Sequence, residues 1–479
     1  MALDAARRRA VQFRDRNNME QCIRCAADGR GQQKTFGYVT CRGRAARPAN
    51  TRSRYKAGGA DRWKEGNEQV SERRCGAETD IEAQCILGSA NMTDKQHWLP
   101  VTRENIQAAH SMIRPYIYET PVLTSKTLNS LASTPQPAEA LIGTPFEGQQ
   151  PACPKIKFFF KCENFQRIGA FKVRGAFHSI LRVVQTKGED EVRKRGVITH
   201  SSGNHAQAVA LAASTLSIPA YIIMPSISIP SKIEATKGYG AKVVFSGSTS
   251  EEREEVMRKV QEETGAILIH PYDHPDTIIG QGTAGLELDA QVNKLVSENP
   301  ELSVRETEDG KGCGLDAVIT PVGGGGLNSG TATVFADPRA DGRKIHVFGA
   351  EPSFQGADDA RRGLKAGVRI PEVKSLTIAD GLRVPIGEIA FSILSDPAKS
   401  RGVFSVTEEQ IKSAMRLVVE RMKIVIEPSA AVPLAVCLYN EEFRRIVEQE
   451  GGEAGWNIGV IFSGGNTTID AMSGLFSAS

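Results

Sequence analysis

The chain has 479 residues, 24% of them charged, and a formal net charge of +3. That length allows two or three domains with a large buried core, while so balanced a charge gives no global attraction to nucleic acid or a membrane surface, which leaves a small molecule as the expected partner. No run approaches the ~18 apolar residues of a membrane span and no apolar stretch follows the N-terminus, so a soluble, cytoplasmic protein is expected.

Nine cysteines are scattered without a disulfide-like framework, five of them before residue 92, as in a reducing compartment. The close pair in "CIRC", 22–25, would need two more ligands at comparable spacing to hold zinc, and none follow. Residues 1–91 carry 18 Lys plus Arg against 11 Asp plus Glu and show weak apolar periodicity. Such a segment buries too little apolar surface to offset its ordering entropy and reads as a disordered basic extension. "RRR" at 7–9 suggests a mitochondrial transit peptide, but those are poor in acids and this segment has eleven; a plain extension and a gene-model error with the true start at Met92 are the preferred readings.

From about residue 103 the pattern sharpens. "TRENIQAAHSMIRPYI", 102–117, has apolar residues at helical spacing, and "ETPVLTSKTLNSL" places an extended Thr-Pro step before a helical start. Residues 132–154 contain five prolines and read as a surface insertion. The chain then alternates: "KIKFFFKCE" strand, 170–186 helix, "GVITH" strand, "HAQAVALAAS" helix, "AYIIMP" strand, "SKIEATKGYG" helix, "AKVVFSG" strand. "DAVITPV", "KIHVFGAEP" and "NIGVIFSGGN" are later apolar, β-branched runs ending in turn residues. Continuous apolar strands between helices predict an α/β fold with parallel sheets covered on both faces, and ligands in such folds bind beyond the carboxyl ends of the strands.

Three segments with polar chemistry fall at those ends. "PVGGGGLNSG", 321–330, follows a strand and opens a helix, so its amides could form an anion nest that holds a phosphate without a lysine; a tight turn is the plainer alternative. "THSSGNHAQA", 199–208, groups Ser201, Ser202, Asn204 and His205 at a helix start, as a carboxylate grip or an ordinary cap. Lys172 in "GAFKVRGAF" could supply an amine beside both; desolvation by Phe171 and pressure from Arg174, if close, would favour its free base. Phosphate cup, amine and substrate anchor are the parts a pyridoxal 5′-phosphate site needs. Ser463 in "VIFSGGN" could hydrogen-bond a pyridine nitrogen without holding a proton there, a mild electron sink suited to β-elimination.

Taken in order, "ETPVLTS", "KCENFQRIGAFKVRGA", "HSSGNHAQA", "GQGTAGLE", "PVGGGGLNSG", "AEPS" and "SGGN" resemble the serine racemase and threonine dehydratase family of fold-type II pyridoxal-phosphate enzymes over about 103–470. The resemblance implies two open parallel-sheet domains of the tryptophan synthase β type, a larger one from 92–195 and 276–479 and a smaller one from 196–275. It implies that Lys172 is the Schiff-base lysine and proton carrier, and that Phe171 packs beside the cofactor ring. Asn204 would meet the ring hydroxyl, Gly323, Gly324, Gly325, Gly326 and Leu327 the phosphate, and Ser463 the ring nitrogen. Ser202 would act on the opposite face, with Ser201, Ser202, Asn204 and His205 binding substrate. Ser-Ser-Gly-Asn in place of Ser-Ala-Gly-Asn permits racemisation.

Further implications are a homodimer and a divalent cation, Mg²⁺, Mn²⁺ or Ca²⁺, at Glu351, Ala357 and Asp359. Only 13 residues follow Asn466, so isoleucine feedback is not expected. Arg167 to Ala170 and Ser125 to Thr127 depart from the nucleotide-site motifs of animal racemases, which predicts weak or absent ATP activation. The implied activity is deamination of L-threonine or L-serine to a 2-oxo acid and ammonia. Serine racemisation and 3-hydroxyaspartate deamination are the close alternatives; β-replacement and a silent phosphate-binding regulator are the distant ones.

Overall fold

The computed structural model describes residues 98–477 apart from 229 and 340. The disordered extension, the "CIRC" pair and the transit-peptide reading lie outside the described residues.

Ten strands form among the described residues: β1 Val122–Leu123, β2 Ile156–Cys162, β3 Val197–His200, β4 Ala220–Pro225, β5 Lys242–Ser246, β6 Ile267–Leu268, β7 Ala317–Pro321, β8 His346–Pro352, β9 Val403–Val406 and β10 Trp456–Phe462. They make a six-stranded sheet in the order β1-β2-β10-β7-β8-β9 and a four-stranded sheet in the order β5-β4-β3-β6. Every pairing is parallel except β1 with β2. This is the α/β arrangement of two open parallel sheets that the sequence implied.

The cause lies in which faces are covered. Helices pack on both sides of the larger sheet, so β7 and β10 are buried along their whole length and β2 at all but one position. Their sequences run apolar instead of alternating for that reason. Phe160 of β2 stacks on Phe462 of β10 with ring centroids 4.8 Å apart and 13° between planes, and burying each ring contributes about 1.5–3 kcal/mol. The last strand is inserted between β2 and β7, which parallel pairing permits because each crossover is made by a helix. Four strand ends therefore meet on one edge: the segment before Lys172, the glycine run, Glu351 and Ser463.

Short strands and a long-range clamp escaped the sequence; β6, of two residues, is one such strand. β9, "VFSV", is too short to stand out from its surroundings and is defined by pairing to β8. The 132–154 segment is more than surface decoration. Its ends are held by the fully buried Arg444, which donates to the carbonyls of Ala132 (2.7 Å), Thr134 (2.7 Å) and Ala152 (3.0 Å). Glu441 accepts from the amide of Ala152 at 2.8 Å and from Gln136 Nε2 at 3.1 Å. No local pattern announces a clamp that spans some 300 residues.

Candidate active site

Lys172 opens the helix Lys172–Lys187. The chain reaches it through a bend in which Ile168 (φ 59°) and Gly169 (φ 72°) adopt left-handed conformations. A Cβ on Gly169 would lie 2.7 Å from Asn466 Oδ1, so that position needs glycine for space as well as for φ. The bend is tied to the end of β10: Phe171 N–H donates to Ser463 O at 3.0 Å and Gly465 N–H to Gly169 O at 2.9 Å. Ser463 is buried beside it.

The Lys172 ammonium donates to Pro271 O at 2.8 Å and lies 5.3 Å from the centre of the Phe171 ring. Desolvation lowers its pKa to about 8. The expected pressure from Arg174 is corrected here. Its guanidinium is fully buried and turns away from Lys172, bonding Glu163 at 2.7 and 2.8 Å and Glu287 at 2.8 and 2.9 Å. Two carboxylates neutralise its charge, and burial alone sets the state of the lysine. A measurable outcome follows from the sign of that shift. An ammonium is not a nucleophile, so capture of pyridoxal phosphate by apoprotein is expected to accelerate as pH rises to about 8 and then level off. An exposed lysine would keep gaining toward pH about 10.4; stopped-flow absorbance across pH 6–10 distinguishes the two.

The glycine run joins β7 to the helix Gly326–Val334. Side chains are excluded along it: a Cβ at Gly324 would fall 2.1 Å from the Tyr272 ring, at Gly325 2.6 Å from Ala390 Cβ, at Gly323 3.1 Å from Gly381 O, and at Gly326 3.1 Å from Tyr272 O. Gly325 has φ 84°. The result is a backbone cradle at a helix N-terminus, with Leu327 buried behind it, and such a cradle suits a phosphate dianion.

The loop 201–203 leads from β3 into the helix Asn204–Thr215. Ser201 Oγ accepts from Gly203 N–H at 3.2 Å and Ser202 is half-buried. Asn204 Nδ2 donates to Glu427 Oε1 at 2.9 Å while its Oδ1 accepts from Asn466 Nδ2 at 2.8 Å. Glu427, unforeseen from sequence, is buried; desolvation and then the field of Asp380 push its pKa up to about 8. His205 Nε2 lies 3.2 Å from Ile269 O, which makes it the donor and leaves Nδ1 a buried acceptor with no partner. His270 Nδ1 accepts the amides of Asp273 (3.0 Å) and Tyr272 (3.4 Å). Burial holds His205 well below the ordinary imidazole pKa, His200 at about 4 and His270 at about 3. All three histidines are neutral at physiological pH, which leaves Lys172 and Glu427 as the groups described here that exchange a proton near there.

Glu351, next to last in β8, is fully buried and accepts the amides of Ala360 (3.1 Å) and Arg361 (2.9 Å). Asp359 Oδ2 accepts from Ile386 N–H at 2.9 Å, and Ala357 is buried between them in sequence. Burial and then the charge of Asp359 raise Glu351 well above the usual carboxylate range; burial raises Asp359 to about 6. The described residues contain no cluster of three His, Cys, Asp or Glu side chains suited to a metal ion, so any cation here would need backbone oxygens.

An enclosed amine of lowered basicity, a side-chain-free cradle at a helix N-terminus and a buried serine at a neighbouring strand end fit pyridoxal phosphate. Residues 139–464 match the family model described as pyridoxal-phosphate dependent enzyme. A serine racemase of Oryza sativa subsp. indica is 36% identical over 80% of this chain and 96% of its own. A β-hydroxyaspartate dehydratase of Paracoccus denitrificans is 36% identical over 78% of this chain and 98% of its own. The solved structure of maize serine racemase, also 36% identical, superposes with a TM-score of 0.63 over 79% of this chain and 97% of that one. The chain belongs to the pyridoxal-phosphate-dependent enzyme family.

Proposed function

We propose that the protein is a hydroxy-amino-acid ammonia-lyase that converts L-threonine or L-serine to a 2-oxo acid and ammonia and also racemises serine. The observation that carries this is the enclosed Lys172 amine with its pKa near 8 among neutral histidines. Pyridoxal phosphate, when bound, supplies the electron sink that acidifies the substrate α-carbon. Gly323 to Gly326 and Leu327 would hold its phosphate, Asn204 its ring hydroxyl and Ser463 its ring nitrogen. Phe171 would lie beside the ring.

Lys172 Nζ, released by the substrate amine, takes the α-proton. Ser201, Ser202 and Asn204, with the backbone N–H of His205 at the helix start, hold the substrate carboxylate by neutral donors. A hydroxyl such as Ser463 cannot keep a pyridine nitrogen charged, which favours expulsion of the β-hydroxyl over long-lived carbanion chemistry. Ser202 returns a proton from the other side when the hydroxyl stays. Its half-buried position agrees with that role.

A second reading, 3-hydroxyaspartate as main substrate, is supported by the similarity to the β-hydroxyaspartate dehydratase of Paracoccus denitrificans, as high as that to the serine racemase at 36% identity. Product analysis with L-serine, D-serine, L-threonine and 3-hydroxyaspartate, following keto acid and enantiomer together, tests both readings. Absence of keto acid from all four ends them.

Glu351, Asp359 and a carbonyl near Ala357 are proposed to take a divalent cation, which would relieve the repulsion between the two carboxyl groups. Saturating Mg²⁺ or Ca²⁺ at about a hundred times Kd is expected to add about 2.7 kcal/mol of stability, seen as a higher Tm, and Glu351→Gln to abolish the response. ATP is expected to leave activity unchanged, since Arg167 is bonded to Tyr116 O at 2.7 Å and Ser125 caps a helix. A homodimer is part of this proposal. Among the described residues no helix is long and apolar enough to cross a membrane, and a cytoplasmic location is part of this proposal.

A further inference from the structure

We propose that Asp273 is a positioning residue, a strut that fixes the cofactor cradle and the acceptor of Lys172 as one unit. This rests on the reading of the cleft as a pyridoxal-phosphate site. The strut joins two segments more than 100 residues apart.

On one side is the turn 270–273, closed by His270 Nδ1 accepting the amides of Tyr272 and Asp273. The turn presents two things to the site. Pro271 O accepts from the Lys172 ammonium at 2.8 Å, and the Tyr272 ring lies so close on Gly324 that no Cβ fits between them. On the other side is the helix Glu388–Leu394, whose preceding residue, Gly387, donates to Gly324 O at 3.2 Å. Its first turn presses Ala390, with Ile386 just ahead of it, against Gly325. The cradle is thus sandwiched between Tyr272 and this helix.

Asp273 binds the two sides together. Its Oδ2 accepts from Glu388 N–H at 2.8 Å, and its Oδ1 from Ile389 N–H at 3.0 Å and Ala390 N–H at 3.5 Å. The helix has no cap of its own: the residue at its N-cap is Gly387, which offers no side chain. A carboxylate brought from the turn satisfies the free amides instead. The approach is so close that a Cβ on Gly387 would lie 2.3 Å from Asp273 Cγ. Gly387 has φ −68°, an ordinary value, so contact with Asp273 and not backbone conformation requires glycine there.

The consequence is a single device with two outputs. Releasing Asp273 lets the helix drift from the cradle and lets the turn drift from Lys172. Phosphate amides and lysine amine then lose their mutual register, and preorganised donors lose strength steeply with misplacement.

The test is made on purified holoenzyme, reading the dissociation constant for pyridoxal phosphate and the induced circular dichroism of its visible band. Asp273→Ala is expected to weaken cofactor retention about tenfold or more, the equivalent of about 1.4 kcal/mol, and to diminish the induced signal. Asp273→Asn, which keeps one acceptor oxygen, falls between the two. Gly387→Ala, made on the wild type, reproduces the loss by pushing Asp273 away, since its Cβ would lie 2.3 Å from Asp273 Cγ and 2.6 Å from Asp273 Cβ. Thr407→Ala removes the capping box of a distant helix and lowers Tm without moving either cofactor readout. Wild-type cofactor affinity in Asp273→Asn and Gly387→Ala, or an equal loss in Thr407→Ala, overturns the inference while leaving the proposed activity intact. Cofactor retained by the wild type with no keto acid or enantiomer formed overturns the activity and leaves the strut standing, since the strut is read without turnover.

Discussion

Lys172→Ala is expected to abolish turnover, by about four orders of magnitude or more, and to leave protein that binds pyridoxal phosphate without the visible band of the wild type. In the proposed function the amine is both nucleophile and base, and the neighbouring imidazoles cannot substitute because burial lowers their basicity far below working pH. Reduction with borohydride followed by peptide mapping should place the modified lysine at 172 in the wild type and nowhere in the variant. Normal turnover by the alanine variant would remove the foundation of the proposed function. Because Lys172 sits at a helix start without a side-chain cap, the substitution removes no structural hydrogen bond except the one to Pro271, and Tm is expected to change little.

Arg174→Ala should do the reverse, lowering the stability of the fold without touching the reacting groups. Arg174 is enclosed with Glu163, Glu287 and Lys161 in a network having no exposed member. Lys161 also donates to Thr120 O and Gln291. Removing the guanidinium leaves two carboxylates buried together with one remaining ammonium, at a cost of about 3–5 kcal/mol; urea titration reads it directly.

The same network gives a pH signature. Burial pushes Glu287 up, but hydrogen bonds and charge from Arg174, with His110 and Lys161, outweigh it and hold the carboxyl far below its ordinary range, so the stability it contributes is complete above the unfolded carboxylate pKa of about 4.3. That contribution is lost progressively as pH falls below that value. Acid unfolding of the wild type should therefore steepen below about pH 4.3, and Glu287→Gln should flatten the profile while lowering stability at neutral pH.

Much of the site was legible in the chain because its chemistry needs unusual local sequences. Four consecutive glycines after a strand have few structural explanations, and a lysine among apolar neighbours becomes informative once a phosphate cradle is expected nearby. Strands β2, β7 and β10 were legible for a related reason: burial on both faces writes itself into an unbroken apolar run. Arg174 shows the limit. Proximity in sequence suggested that it would press on Lys172, but a helix turns successive side chains by about 100°, and position 174 faces the opposite carboxylates.

Glu427, Asp273, Pro271 and Tyr272 were invisible for another reason. Each acts through a partner more than 50 residues away, or through a backbone carbonyl that any residue would offer, and neither leaves a local pattern. Composition, periodicity and motif thus determined by themselves the α/β class, and they singled out Lys172 and the glycine run as candidate parts of a site. Only the tertiary structure decided how the parts are held: β10 slotted between β2 and β7, the turn at 270–273 seated on Gly324, and the Arg174 charge spent on Glu163 and Glu287. The physical reason is that local propensities act over a few residues, whereas desolvation and hydrogen-bond satisfaction act over whatever the folded chain brings within about 4 Å.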